Sequence, residues 1–219
     1  MELFADRTQA GELLAERLRD AHDPVILALP RGGVAVAAPI ARRLGAPLEV
    51  LVTRKIGFPP APELGVGAMA EGGEPVFDHG LLRRLGLTPE SLADVVRRER
   101  RELARRVRVY RGDRPLPPLE GREVIVVDDG LATGGTARAA LRTVAAAKPA
   151  KVTLAVPVGS PDTVASLRDE ADEVVVLLTP AAFQAVGQWY ADFEQLTDDD
   201  VLRLLEESSA GDDGPDELA

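Results

Sequence analysis

Two adjacent carboxylates close an apolar run in Val124-Ile-Val-Val-Asp-Asp-Gly-Leu-Ala-Thr-Gly-Gly-Thr136. Like charges at the end of a buried strand are costly unless a ligand or ion offsets them. A glycine-threonine loop follows and opens a helix. Its spacing is neither the G-x-G-x-x-G of dinucleotide folds nor a P-loop, because the P-loop lysine is missing. What remains is a helix start whose free N–H groups and positive dipole end suit a phosphate. Thr133 and Thr136 add hydroxyl donors. Asp128 and Asp129 stand before the loop, where carboxylates suit sugar hydroxyls, much as an acidic residue reads the ribose in dinucleotide folds. The chemistry that fits is recognition of a phosphorylated sugar, with a metal ion helping to offset the paired charge. The plainer alternative is a strand-end turn and helix cap.

Two other loops carry candidate residues. Pro30-Arg31-Gly32-Gly33 follows the short apolar run 25–29, and Arg54 to Gly65 follows the run 48–53. The first is either an anion-binding turn or a plain strand-to-helix connection. In the second, Lys55 is one of three lysines in a chain whose bases are mostly arginine. It carries either a specific role or a solvated charge.

The surrounding pattern positions these loops. Apolar runs at 25–29, 48–53, 124–128, 152–158 and 174–178 alternate with helical stretches at about 6–21, 34–44, 135–147 and 162–170. Strands that are apolar throughout and alternate with helices predict an α/β fold with a mostly parallel central sheet covered on both faces. Ligands of such sheets bind beyond the carboxyl ends of the strands, where all three loops gather. Residues 54–67 read as a long Gly- and Pro-rich loop, and 68–77 as a hairpin turning at Gly72-Gly73. Thr88 as N-cap and Pro89 at N1 open a helix to about Tyr110, with Leu92, Val96, Leu103, Val107 and Tyr110 on one face.

At 219 residues the chain fits one domain over 1–207, followed by an acidic tail at 208–219 read as disordered. There are no cysteines, which excludes disulfides and thiolate chemistry. The first residues show neither a basic n-region nor an apolar h-region, no run is long enough to span a bilayer, and a cytoplasmic setting is expected. A net charge of −10 argues against a protein whose whole surface binds nucleic acid, yet residues 97–114 hold nine arginines. That run reads as a solvated face laced with Glu99 and Glu102, or else as a surface for RNA or a second subunit.

The Val124–Thr136 run resembles the signature of type I phosphoribosyltransferases. Pro30–Gly33 is similar to that family's pyrophosphate loop, Arg54–Gly65 stands where its mobile catalytic loop lies, and Phe183–Leu196 resembles its C-terminal hood. The resemblance spans residues 25 to about 196. It implies the family's fold, with 54–77 as mobile loop and hairpin, an arginine-rich helical insertion at 80–118, and a hood and helix at 180–207. It also implies binding of 5-phosphoribosyl 1-pyrophosphate (PRPP) with Mg²⁺ and transfer of the phosphoribosyl group to a nitrogen acceptor, a nucleobase or related heterocycle.

Asp128 and Asp129 would hold the ribose hydroxyls, stabilise the cationic ring and serve as metal ligands. The 5-phosphate would sit on Ala132, Thr133, Gly134, Gly135 and Thr136. Arg31, Gly32, Gly33, Arg54 and Lys55 would receive the pyrophosphate, with Lys55 catalytic. Phe183, Trp189 and Tyr190 would meet the acceptor, the alternative being that these aromatics are core or interface. A homodimer and no membrane partner are expected. The long insertion suggests a bacterial subgroup whose acceptor is not a familiar purine. Rival readings are a PRPP-sensing regulator with vestigial catalysis whose 89–110 helix contacts RNA, and a phosphoribosyl hydrolase or phosphorylase on the same fold.

Overall fold

The computed structural model describes residues 3–209. In chain order the elements are α1 (Arg7–Arg17), β1 (Val25–Ala28), α2 (Gly32–Leu44), β2 (Leu48–Val50), β3 (Thr53–Phe58), β4 (Ala61–Ala70), β5 (Val76–Phe77) and α3 (His79–Leu85). They continue with α4 (Ala93–Arg111), β6 (Glu123–Val127), α5 (Gly135–Ala146), β7 (Lys151–Val158), α6 (Pro161–Leu167), β8 (Glu173–Leu178) and α7 (Asp198–Ser209).

The five apolar runs form one sheet in the order β2-β1-β6-β7-β8, and every pairing in it is parallel. Such strands need apolar side chains on both faces. Ile26, Leu27, Ile125 and Val126 are accordingly fully buried, with Ile26 and Ile125 in one cluster and Leu27 and Val126 in the other. Each such side chain stabilises the fold by about 1.5–3 kcal/mol. After β1 the chain crosses to β2 on one side, and its next sheet strand, β6, lies on the other. The order therefore reverses between β1 and β6, and the crevice beyond their carboxyl ends is where open α/β sheets bind ligands.

Residues 54–67 do not form the expected irregular loop. β3 and β4 pair antiparallel from Thr53↔Ala70 to Phe58↔Ala61, with register shifts on both sides of Gly57. The prolines that suggested irregularity are confined to the tip, at Pro59 and Pro60, and to Pro62 beside it. There they cost few ladder bonds. β5 adds to β4 across Glu71–Pro75 and completes a second, three-stranded sheet, so the expected hairpin at 68–77 forms with a longer first strand.

A further helix, α3, was not anticipated; Asp78 caps it by accepting from the Leu81 N–H. The helix expected from Thr88 begins as a 3-10 turn at Glu90–Leu92 before α4. Thr88 and Ser91 exchange N–H to hydroxyl bonds there. In α1 the buried positions are Ala10, Gly11, Leu14 and Ala15, whereas Leu13 is 46% exposed. α7 packs against α2 and α4. Ser208 and Ser209 finish that helix, and the rest of the expected tail lies outside the described residues.

Candidate active site

Asp128 and Asp129 follow β6 directly, at the point where the strand order reverses. The β1–α2 turn is packed against them. A β-carbon on Gly33 would lie 2.7 Å from the Val127 carbonyl oxygen and 3.1 Å from Asp128 Cα, and one on Gly32 would lie 1.8 Å from Asp129 Oδ2. The glycines of Pro30–Gly33 are thus required by the close approach of this turn to the acidic pair. The Pro30–Arg31 peptide is cis.

Beyond the acidic pair, Gly134 takes a left-handed conformation (φ 71°) and opens α5 without a side-chain cap. A residue with a β-carbon would be strained at that φ. The first ladder bond of α5 runs from the Arg138 N–H to the Gly134 carbonyl at 2.9 Å. The N–H groups of Gly135, Thr136 and Ala137 therefore point out of the helix end. Among the described residues, the hydroxyls of Thr133 and Thr136 make no hydrogen bond. Thr163 instead supports the loop by donating to the Ala132 carbonyl at 2.8 Å.

Burial and the neighbouring Asp129 charge hold the Asp128 carboxyl well above the usual carboxylate range. Burial raises Asp129 as well, against the opposing pull of Arg7. Half-buried and adjacent, the pair resists being doubly ionised.

Two further residues complete this site: Arg7, which sequence reasoning missed, and Tyr190, which it grouped with the aromatics facing the acceptor and not with the acidic pair. Arg7, the first residue of α1, donates from Nε to Asp129 Oδ2 at 2.9 Å and from Nη1 to the Glu194 carbonyl at 2.9 Å. Its guanidinium lies 3.8 Å from the Phe193 ring centroid and 6.0 Å from that of Tyr190. Tyr190 donates its hydroxyl to the Asp129 carbonyl at 2.6 Å, and burial pushes its own ionisation far up. An arginine in a first helical turn is the one local signal; cations are unfavourable there.

The remaining expected residues are placed as follows. The Arg31 guanidinium sits 3.8 Å from Asp198, which also accepts from the Tyr110 hydroxyl. Arg54 is held on Glu99 of α4 by two bonds, of 2.9 and 2.6 Å. Lys55 is exposed and donates to the Glu63 carbonyl across the β3–β4 hairpin at 2.5 Å. Trp189 is only 4% exposed in a cluster with Phe4, Val158 and Tyr190, and Phe183 packs at its edge. Trp189 is therefore core, its indole N–H without a partner among the described residues.

A hollow of about 580 Å³ lined by Arg42, Leu48, Glu49, Arg114 and Glu207 lies at the opposite, amino-terminal end of β2 and holds none of the expected residues. Most α4 arginines are paired, Arg97 with Asp94, Arg98 with Glu99, Arg100 with Glu74, and Arg105 and Arg106 with Glu102. No described helix is long and apolar enough to cross a membrane.

Comparison with known proteins places this geometry. The family model for the phosphoribosyl transferase domain matches residues 6–189. Two proteins from Mycobacterium tuberculosis strains CDC 1551 and H37Rv, which carry a provisional phosphoribosyl transferase name, are 47% identical over 208 residues, 94% of this chain. The chain spans about half the length of these relatives, 47%. The crystal structure of TT1426 from Thermus thermophilus superposes with a TM-score of 0.79 at 46% identity, covering 94% of this chain and 99% of that one. The match, the reversal point and the acidic pair coincide: this chain belongs to the phosphoribosyl transferase domain family.

Proposed function

We propose that the domain moves the 5-phosphoribosyl group from PRPP to a nitrogen heterocycle, with Mg²⁺, releasing pyrophosphate. The observation that carries this reading is the half-buried acidic pair between the glycine turn of β1 and the uncapped start of α5. In the transfer the bond from C1 of the sugar to pyrophosphate breaks, a C1–N bond forms, and the acceptor nitrogen loses its proton. Asp128 and Asp129 accept the ribose hydroxyls and stabilise the positive charge that develops on the ring, an electrostatic effect strengthened by their partial burial. The 5-phosphate lies on the N–H groups and hydroxyls of Thr133–Thr136.

No group of three or more His, Cys, Asp or Glu among the described residues is arranged to hold a metal alone. Two carboxylates that resist joint ionisation suit a Mg²⁺ taking its other ligands from substrate oxygens, and Asp128 and Asp129 would hold it. Bound there, it neutralises charge on the pyrophosphate. Arg31 and Lys55 supply further positive charge, while the β3–β4 hairpin limits water access to the activated sugar. Arg54 does so only by leaving Glu99. Family resemblance also favours a homodimer in the cytoplasm.

Titration calorimetry of PRPP with Mg²⁺ tests the reading. The folded wild type should bind at micromolar concentration, and the Asp128→Asn, Asp129→Asn variant should not. Pyrophosphate release with a panel of nucleobases then identifies the acceptor. A folded wild type that ignores PRPP would refute the proposal.

A further inference from the structure

We infer that Arg7 is a positioning residue of the transfer site, holding the Asp129 carboxylate by one oxygen for ribose recognition and tying it to the 190–196 segment. This rests on the phosphoribosyl reading of the acidic pair and adds a residue on an element that the motif does not include.

Arg7 stands where local energetics disfavour it. A cation in the first turn of a helix opposes the macrodipole, and the acidic group at that end of α1, Asp6, is its N-cap, committed to the Gln9 N–H. Its placement is explained by tertiary contacts. The backbone that carries it is pinned from both sides. Asp6 caps α1 by accepting from the Gln9 N–H at 2.7 Å, and Gln9 accepts in return from the Ala5 N–H at 2.6 Å. Residues 4 and 5 are bonded to the C-terminal segment, with Phe4 N–H on the Trp189 carbonyl, Ala191 N–H on Phe4 and Asp192 N–H on Ala5.

From that fixed point the guanidinium uses three of its properties at once. One N–H takes Asp129 Oδ2, another takes the Glu194 carbonyl, and its face lies on Phe193. The side chain is 11% exposed, so its charge acts in a dry setting. A lysine has the charge but not the fork or the flat face. Arg7 engages Oδ2 and sets the rotation of the carboxylate, and Tyr190 fixes the backbone behind it through the Asp129 carbonyl. Arg7 acts on ribose through Asp129; inorganic pyrophosphate, which has no ribose, does not use that carboxylate's hydroxyl contacts.

The test compares binding of PRPP and of inorganic pyrophosphate, each with Mg²⁺, by calorimetry on wild type, Arg7→Gln, Arg7→Lys and Phe193→Leu, with thermal unfolding alongside. Arg7→Gln should weaken PRPP by roughly 10–100-fold, the usual cost of losing a residue that orients a ligating group, and weaken pyrophosphate less, because Asp129 meets pyrophosphate only through Mg²⁺ and not through ribose hydroxyls. Arg7→Lys should recover part of the loss. Phe193→Leu removes the ring under the guanidinium but not the bond to Asp129, and should show a smaller, equally PRPP-selective loss, which keeps the test open if Arg7→Gln does not fold. Wild-type PRPP affinity in folded Arg7→Gln overturns the inference. So does equal weakening of both ligands, which means a general structural role or direct contact with pyrophosphate. A folded wild type that binds neither ligand removes the phosphoribosyl reading itself, and this inference with it.

Discussion

Gly32 and Asp129 meet across the point where the strand order reverses: a β-carbon at position 32 would lie 1.8 Å from Asp129 Oδ2 and 3.1 Å from Arg7 Nε. The turn after β1, the acid after β6 and the first residue of α1 share one small volume, so each constrains the others.

Gly32→Ala should therefore displace either the carboxylate or the turn. The expected cost is about 1–3 kcal/mol of stability, typical of overpacking. PRPP affinity should drop roughly 10–100-fold, the usual cost of displacing a group that orients a ligating residue. Urea unfolding and calorimetry measure the two losses separately. A variant that keeps wild-type affinity would show that the turn does not set the acid.

Asp128→Asn should abolish transfer while raising stability. Burial and the Asp129 charge raise the Asp128 carboxyl in the folded chain. Its charged form therefore penalises the fold fully above its folded pKa, and the penalty shrinks as pH falls from there toward the ordinary carboxylate pKa. The amide carries no charge to bury beside Asp129 and should be more stable than wild type at pH 8. The advantage should shrink toward pH 5. Melting temperatures of the two proteins at both pH values check the sign.

Arg111→Met should destabilise the fold strongly with no new chemistry at the site. Arg111 and Glu71 form a buried ion pair, their side chains 4% and 9% exposed. Arg111 also donates to the Val50 carbonyl at 3.0 Å, tying the end of α4 to β2. Removing one partner of a buried pair leaves an uncompensated charge and costs about 3–5 kcal/mol. Denaturant midpoints give the value, and a change below about 1 kcal/mol would contradict it.

Lys55→Met should separate chemistry from folding. The side chain is exposed, with one bond to a carbonyl across its own hairpin, so stability should stay within about 0.5 kcal/mol. If Lys55 meets the leaving group, kcat should fall by about a hundredfold, as when one charge-stabilising donor is removed. Unchanged kcat would return Lys55 to the solvated surface.

What this sequence determined alone is whatever is contiguous in it. The run from Val124 to Thr136 states in one breath a buried strand, two acids and an uncapped helix start, because strand, loop and helix onset follow one another without a crossover. The alternation of apolar runs and helices likewise carries the parallel sheet.

Long-range pairing was decided only by the fold. Arg7 reaches Asp129 across 122 positions, and Tyr190 reaches the same residue across 61; the local signals, a cation in a first helical turn and an aromatic near the C-terminal segment, do not name Asp129 as the partner. Residues 54–67 misled for a related reason. Glycine and proline report local backbone preference, whereas β3 and β4 exist because backbone groups pair across a turn and Ile56 and Val66 are buried. Trp189 reads equally well as a stacking surface or as core until the Phe4 and Tyr190 rings close around it. Side-chain type limits what a residue is able to do, and the packing of distant segments decides which of those things it does.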